Sequence, residues 1–338
     1  MNDTIRLSEL VDGDVLLYRG TAVISRAIQF FDGSDVSHAA LYLGGGQVGE
    51  AIAEGLVERP FATGAGGNEW VVARRLKDRP ASMAPVLRRG RHYLDQHNRY
   101  GYEQLLLLAF LCLTRKLPMT PIVRTLVRNV LDAAASLLLR WSSEHREPMI
   151  CSEFVFRAYD EALPDLDDRY SLRVNRALVG ALEAVEEEGA LALPPGQGIH
   201  PDSLLALLSA TTGQGWVRRA PYSELAWAPE AAPLPEEELE EQLAAYMTEA
   251  RSAKAAVPTE AAPGQDVTLE ELAAATDRLA YGLYQATHGD NVERVDAEAP
   301  DLAEMLITDN LFRTAADLVT PADLLHTSSL FALGRVVA

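Results

Sequence analysis

The chain has 338 residues, 48% of them hydrophobic and 23% charged, and 49 Asp and Glu against 30 Lys and Arg give it a formal net charge of −19. That length suits one large domain or two ordinary ones, and the composition is that of a folded globular chain. A surface this acidic repels nucleic-acid phosphates and anionic lipid head groups, which excludes both as bulk partners.

The opening MNDTIRLSELVDGD has no basic segment followed by an apolar run, so it does not read as a secretory signal, and a cytoplasmic location is the expectation. Residues 14–18 (DVLLY) follow the turn residues DGD and predict a strand. Val23, Ile24, Ala27, Ile28 and Phe31 recur at helical spacing across 20–31. Two β-prone runs, 37–43 (SHAALYL) and 47–53 (QVGEAIA), flank Gly44-Gly45-Gly46 and predict a hairpin. EWVVARRL (69–76) predicts another strand.

From Pro85 to Trp141 the pattern is helical, with breaks near Pro118 and Pro121. Its apolar core, Leu105 to Leu113, is about half the length that spans a bilayer and predicts a buried helix with no integral membrane segment. Pro148 precedes a helix from about Cys151 to Ala162, which Leu163-Pro164 ends. Residues 165–230 are mixed and mostly helical. The Ala-, Pro- and Glu-rich stretch 229–265 reads as a linker enclosing one acidic helix. LEELAAATDRLAYGLYQATH predicts a further helix, and VTPADLLHTSSLFALGRVV a helix-like turn followed by a strand.

The chain has two cysteines, Cys112 and Cys151, which make no disulfide framework. No Cys/His cluster has zinc-ligand spacing, so neither a metal nor a cofactor is expected. A cysteine nucleophile needs a stabilised thiolate, a base within hydrogen-bond reach and a group that orients the base. Cys151 falls at the N-terminus of its predicted helix, where unpaired N–H groups and the helix dipole favour negative charge on sulfur. It shares a face with Phe154, Val155, Ala158 and Ala162, which fits a buried core thiol equally well. His38 opens a strand. A hairpin centred on Gly44 sets Glu50 opposite it, where the carboxylate could bond one ring nitrogen and leave the other for the thiol. Glu54 shares the strand face of Glu50 and is the alternative orienting group. Tyr18, Ser37 and Ser152 complete the candidate auxiliary residues.

GDVLLYRG, SHAALYLGGGQVGEA and MICSEFVFRAYDEA together resemble the circularly permuted branch of the NlpC-type papain-fold superfamily, nearest the YiiX/YebB-like proteins, with lecithin:retinol acyltransferases as relatives. YGYE (100–103) resembles the aromatic-acidic motif ahead of the Cys helix, and TPADLLHTSSLF (320–331) the Pro-x-Asp-Leu segment that follows it. The resemblance covers roughly 1–165 and 315–338. It implies an α+β fold with a small antiparallel β-barrel or sheet packed on the Cys helix, and Cys151 as nucleophile, His38 as base and Glu50 as orienting group.

The expected organisation is a catalytic core over 1–165, a mostly helical acidic insertion over 166–314, and a C-terminal segment over 315–338 that returns a strand to the core. The expected activity is that of a thiol hydrolase acting on an amide, ester or thioester, with a small acyl, peptide or lipid-like substrate. A non-catalytic binding or scaffold protein, using the acidic insertion to hold a protein partner, and a lipid acyl hydrolase or acyltransferase remain open alternatives.

Overall fold

The computed structural model describes residues 4–52, 55–95, 99–100, 103–142, 147–163, 168–174, 199–211, 235–253, 267–288 and 300–337. It is a mixed α and β structure that divides into two compact units. The first comprises Met1–Leu107, Met149–Gln197 and Leu318–Ala338, and the second Leu108–Pro148 and Gly198–Asp317. The helical stretch 108–148 therefore groups with the later helices rather than with the expected core over 1–165. The physical cause is the packing of its long helix on one that lies well over a hundred residues further along the chain, an association no local pattern announces.

The first unit is built on β1 (Thr4–Arg6), β2 (Val15–Gly20), α1 (Val23–Phe31), β3 (His38–Gly44), β4 (Gln47–Ile52), β5 (Gly55–Pro60), α2 (Phe61–Ala65), β6 (Asn68–Leu76) and α3 (Ala84–Asp95). Two strand fragments, β7 (Arg99–Tyr100) and β8 (Glu147–Pro148), flank α4 (Glu103–Thr114) and α5 (Pro121–Ser142), and α6 (Cys151–Asp160) follows. The later helices are α7 (Leu204–Thr211), α8 (Glu236–Ala253), α9 (Leu269–His288), α10 (Pro300–Ala316) and α11 (Pro321–His326), and β9 (Leu330–Val337) comes last.

One seven-stranded sheet runs in the order β1-β9-β6-β2-β3-β4-β5. Its ladders are antiparallel except for β1 with β9, and it is open, with β1 and β5 at its edges rather than closed into a barrel. β2 lies between β3 and β6, so its Val15, Leu16, Leu17 and Tyr18 are all 0% exposed. That explains its unbroken apolar run, since a strand covered on both faces has no reason to alternate. Leu16, Tyr18, Ala40, Tyr42, Val48, Val71 and Ala73 form a buried cluster with Ile5, Leu10 and Phe61 on one face. α3 and α6 cover the other: a methyl added to Gly49 would lie 3.1 Å from Leu94 and 3.2 Å from Phe154, and one added to Gly90 would lie 2.9 Å from Leu41.

The β3–β4 hairpin turns through Gly45 and Gly46, both at positive φ, where only glycine is unstrained. A bulge between Tyr42 and Gly44 precedes the turn. The register is therefore Ala40↔Glu50, Leu41↔Gly49 and Tyr42↔Val48, which corrects the expectation of His38 opposite Glu50. The hairpin pivots one residue later than Gly44 because the turn is the two-residue Gly45-Gly46 loop.

Gly13-Asp14 anchors the start of β2. Gly13 has φ +84° and donates its N–H to Tyr42 O at 2.8 Å. Asp14, 0% exposed, receives Arg75 through both oxygens at 2.7 Å each and the Val11 N–H at 2.9 Å. At the other end of the chain, Thr320 and Asp323 cap α11 reciprocally, and Pro321 fills the first helical position. Arg74 on β6 donates to the carbonyls of Leu325, Thr327 and Leu330, which fastens the α11–β9 connection to the sheet.

The second unit is helical. α5 packs along α9, closely enough that a methyl on Gly282 would lie 3.1 Å from both Ala135 O and Leu138 Cβ. Arg278 Nε and Nη2 donate to Asp132 Oδ1 at 2.8 and 2.6 Å across the same pair of helices. The apolar run Leu105 to Leu113 in α4 is buried throughout. Among the described residues, no helix is long and apolar enough to cross a membrane. The acidic helix expected within 229–265 is α8, and the sequence on either side of it lies outside the described residues.

Candidate active site

His38 begins β3, and its Cα partner across the ladder is Tyr18. Glu50 lies on β4 opposite Ala40, so it is the diagonal neighbour of His38 on the same sheet face. The reach of a Glu side chain closes the gap, and His38 Nε2 and Glu50 Oε2 share a hydrogen bond of 2.7 Å. His38 is 9% exposed and Glu50 0%. The carboxylate thus sits on Nε2, and Nδ1 is the other nitrogen of the ring.

The second oxygen of Glu50 has a partner that sequence reading missed. Arg59 Nε on β5 donates to Glu50 Oε1 at 2.6 Å. Burial alone pushes the Glu50 carboxyl up, but the hydrogen bonds and positive charges of His38 and Arg59 outweigh it and hold the group below the usual carboxylate range. The signal for Arg59 was its alternation with Val57 on a short run ending in Pro60, visible only once that run is recognised as the strand paired with β4. Glu54, the alternative orienting group, lies outside the described residues.

Tyr18 is fully buried with its ring edge-on to His38, the centroids 5.2 Å apart. Burial first and the Glu50 charge second push its phenol above the ordinary range, against the opposing charges of His38 and Arg59. Its hydroxyl has no hydrogen-bond partner among the described residues. The two candidate serines are tied to backbone. Ser37 Oγ accepts the Gly20 N–H at 3.2 Å, and Ser152 Oγ donates to Val319 O at 2.6 Å, holding α6 to the segment before α11.

Cys151 is the first residue of α6, after Ile150 as N-cap, and is 0% exposed. Glu153 reaches back to the Ile150 N–H at 3.4 Å, so the helix start is set by a side chain from its own first turn. α6 lies on β3 and β4. Phe154 covers Gly49, and the Tyr159 hydroxyl donates to Gly13 O, beside the far end of β3. The eight residues from Cys151 to Tyr159 rise about 12 Å, and the four from His38 to Tyr42 about 13 Å. The helix thus runs alongside β3 in the same sense over the Leu41 and Gly49 face, while His38 and Glu50 share the opposite face with Tyr18 and Ala40. The other cysteine, Cys112, is enclosed in α4, where burial pushes its thiol up to about 12.

Among the described residues, no group of three or more His, Cys, Asp or Glu side chains is arranged to hold a metal ion. Of the YGYE motif, Gly101 and Tyr102 lie outside the described residues. A scan against protein-family models finds none that matches, and a search of curated proteins finds no match.

Proposed function

We propose that the chain is a cysteine hydrolase of the permuted papain-like type, acting on an amide, ester or thioester. Cys151 is the nucleophile, His38 the base and Glu50 the group that orients it. The observation that carries this reading is the buried His38–Glu50 pair, bonded at 2.7 Å with the carboxylate 0% exposed. The His38 and Arg59 hydrogen bonds offset the cost of removing the Glu50 carboxylate from water, and a carboxylate so held is placed to orient a general base.

The chemistry follows. The Cys151 thiol gives its proton to His38 Nδ1, and the sulfur adds to the substrate carbonyl carbon while the carbonyl π pair moves to oxygen. First-turn N–H groups of α6, which have no partners within the helix, face the developing oxyanion. Collapse of the tetrahedral species breaks the bond to the amine, alcohol or thiol, which leaves with the proton from His38. Water then adds to the thioester, its proton passing to His38 and on to the departing sulfur. Glu50 stabilises the imidazolium in both halves.

One observation favours a binding or scaffold protein instead: the Cys151 residue is 0% exposed. Turnover of short amide, ester and thioester substrates by the wild type and Cys151→Ala separates the readings. The hydrolase reading expects activity that the variant loses with its fold intact, and activity retained in Cys151→Ala overturns it.

A further inference from the structure

We propose that β5 and α2 build a seat for the Glu50 carboxylate, in which Arg59 is a positioning residue that governs how firmly His38 holds a proton. The role in catalysis rests on the hydrolase reading, but the seat itself does not.

Two independent features define the seat. Arg59 Nε donates to Glu50 Oε1 at 2.6 Å while Oε2 is engaged by His38. On the other side is Gly64 of α2, where a Cβ would lie 2.6 Å from Glu50 Oε1 and 3.4 Å from Val48 Cγ2. Gly64 has no positive φ to explain it. The carboxylate occupies the space a side chain would take, so the glycine there has a steric reason.

The electrostatic consequence comes from counting charges. Among the described residues, Glu50 on β4 bonds the His38 ring, Tyr18 on β2 meets it edge-on, and Arg59 on β5 bonds Glu50. α6 packs on β3 and brings Cys151 and Glu153 in its first turn, the latter paired with Arg157 at 2.8 Å. α2 contributes none. With Glu50 as its only charged neighbour, the imidazole would carry the whole task of neutralising a buried carboxylate and would release its proton reluctantly. Arg59 takes part of that task. It leaves Glu50 ionised for orientation while freeing His38 to give its proton back to the leaving group.

The test is a pH titration of the full chain labelled with ¹⁵N-histidine, the His38 signals being identified by their loss in His38→Gln. Arg59→Gln is expected to raise the His38 midpoint by about one pH unit. Arg59→Lys, which keeps the charge, is expected to restore the midpoint to near the wild-type value. Gly64→Ala is expected to lower it, because the methyl forces Oε1 out of place and loosens the contact with His38. An unchanged midpoint in Arg59→Gln, or an equal rise in Arg59→Lys, overturns the role of Arg59. If Arg59→Gln does not fold, Gly64→Ala decides, and an unmoved midpoint there overturns the seat. These signals are read without substrate. A shifted midpoint in a chain with an inert Cys151 removes the hydrolase reading and leaves the seat standing, while an active enzyme with unmoved midpoints does the reverse.

Discussion

His38 Nε2 lies 2.7 Å from Glu50 Oε2 although the two residues are not cross-strand partners. The bulge before Gly44 places Ala40, not His38, opposite Glu50, so the carboxylate reaches diagonally to the ring. This geometry puts the negative charge at Nε2 of the ring. Replacing Glu50 by Gln keeps the shape and removes the charge that steadies an imidazolium. Under the hydrolase reading kcat is expected to fall by about 10²–10³-fold, the scale of a general-base contribution. Steady-state kinetics on any substrate the wild type turns over would measure it, and a change of less than about twofold would remove Glu50 from the mechanism.

The two thiols should behave differently. Cys112 is enclosed in α4 with its thiol pushed up to about 12, so it presents almost no thiolate near neutral pH. Cys151 stands at a helix N-terminus, where the dipole favours a negative sulfur. Iodoacetamide near neutral pH is expected to add one carboxamidomethyl group to the folded chain, at Cys151, and none to Cys151→Ala. Mass spectrometry of the labelled peptides reads the outcome, and equally slow labelling of both cysteines would favour a binding protein.

Glu50 also links stability to acidity. Its carboxyl is held below its ordinary value of 4.5 in the folded chain. A depressed folded value means that the stabilisation is fully present above the unfolded value and is lost as pH falls through the folded one. Urea unfolding of wild type and Glu50→Gln at a series of pH values should therefore show a difference between them that is flat above about pH 6 and changes below about pH 4.5. A difference that stays constant down to pH 3 would mean that folding does not lower the Glu50 carboxyl.

Gly282 should be intolerant of a side chain. A methyl there would lie 3.1 Å from the Ala135 carbonyl oxygen, a backbone atom that cannot swing aside, and 3.1 Å from Leu138 Cβ. Gly282→Ala gains helix propensity but separates α5 from α9, and the overpacking should dominate at about 1–3 kcal/mol of lost stability. Chemical denaturation measures this, and a stabilised variant would show that the two helices are less tightly apposed.

Much of this layout was legible in the residues. The β3–β4 hairpin declares itself through three glycines between β-prone runs, and α6 and α9 through their periodicity and stops. The register did not, because it depends on a bulge between Tyr42 and Gly44 that no residue type marks. β5 was hidden in GLVERP, whose outward Glu58 and Pro60 disguise an edge strand, and Arg59 was hidden with it. β1, at three residues, is too short to carry a period. α10 was not separated from its surroundings because its apolar residues do not form one clean stripe. The grouping of 108–148 with the later helices rests on pairs such as Asp132 and Arg278, which only a folded chain brings together.

β9 sits between β1 and β6, bonded to both. A nascent chain that has already laid down β2 to β6 therefore still exposes a row of unpaired amides and carbonyls along β6, and β1 has no neighbour to hold it, until Leu330–Val337 is made. Through some 250 residues of synthesis that bare margin is open to any extended peptide, which makes delayed closure a hazard that the cell must manage during translation.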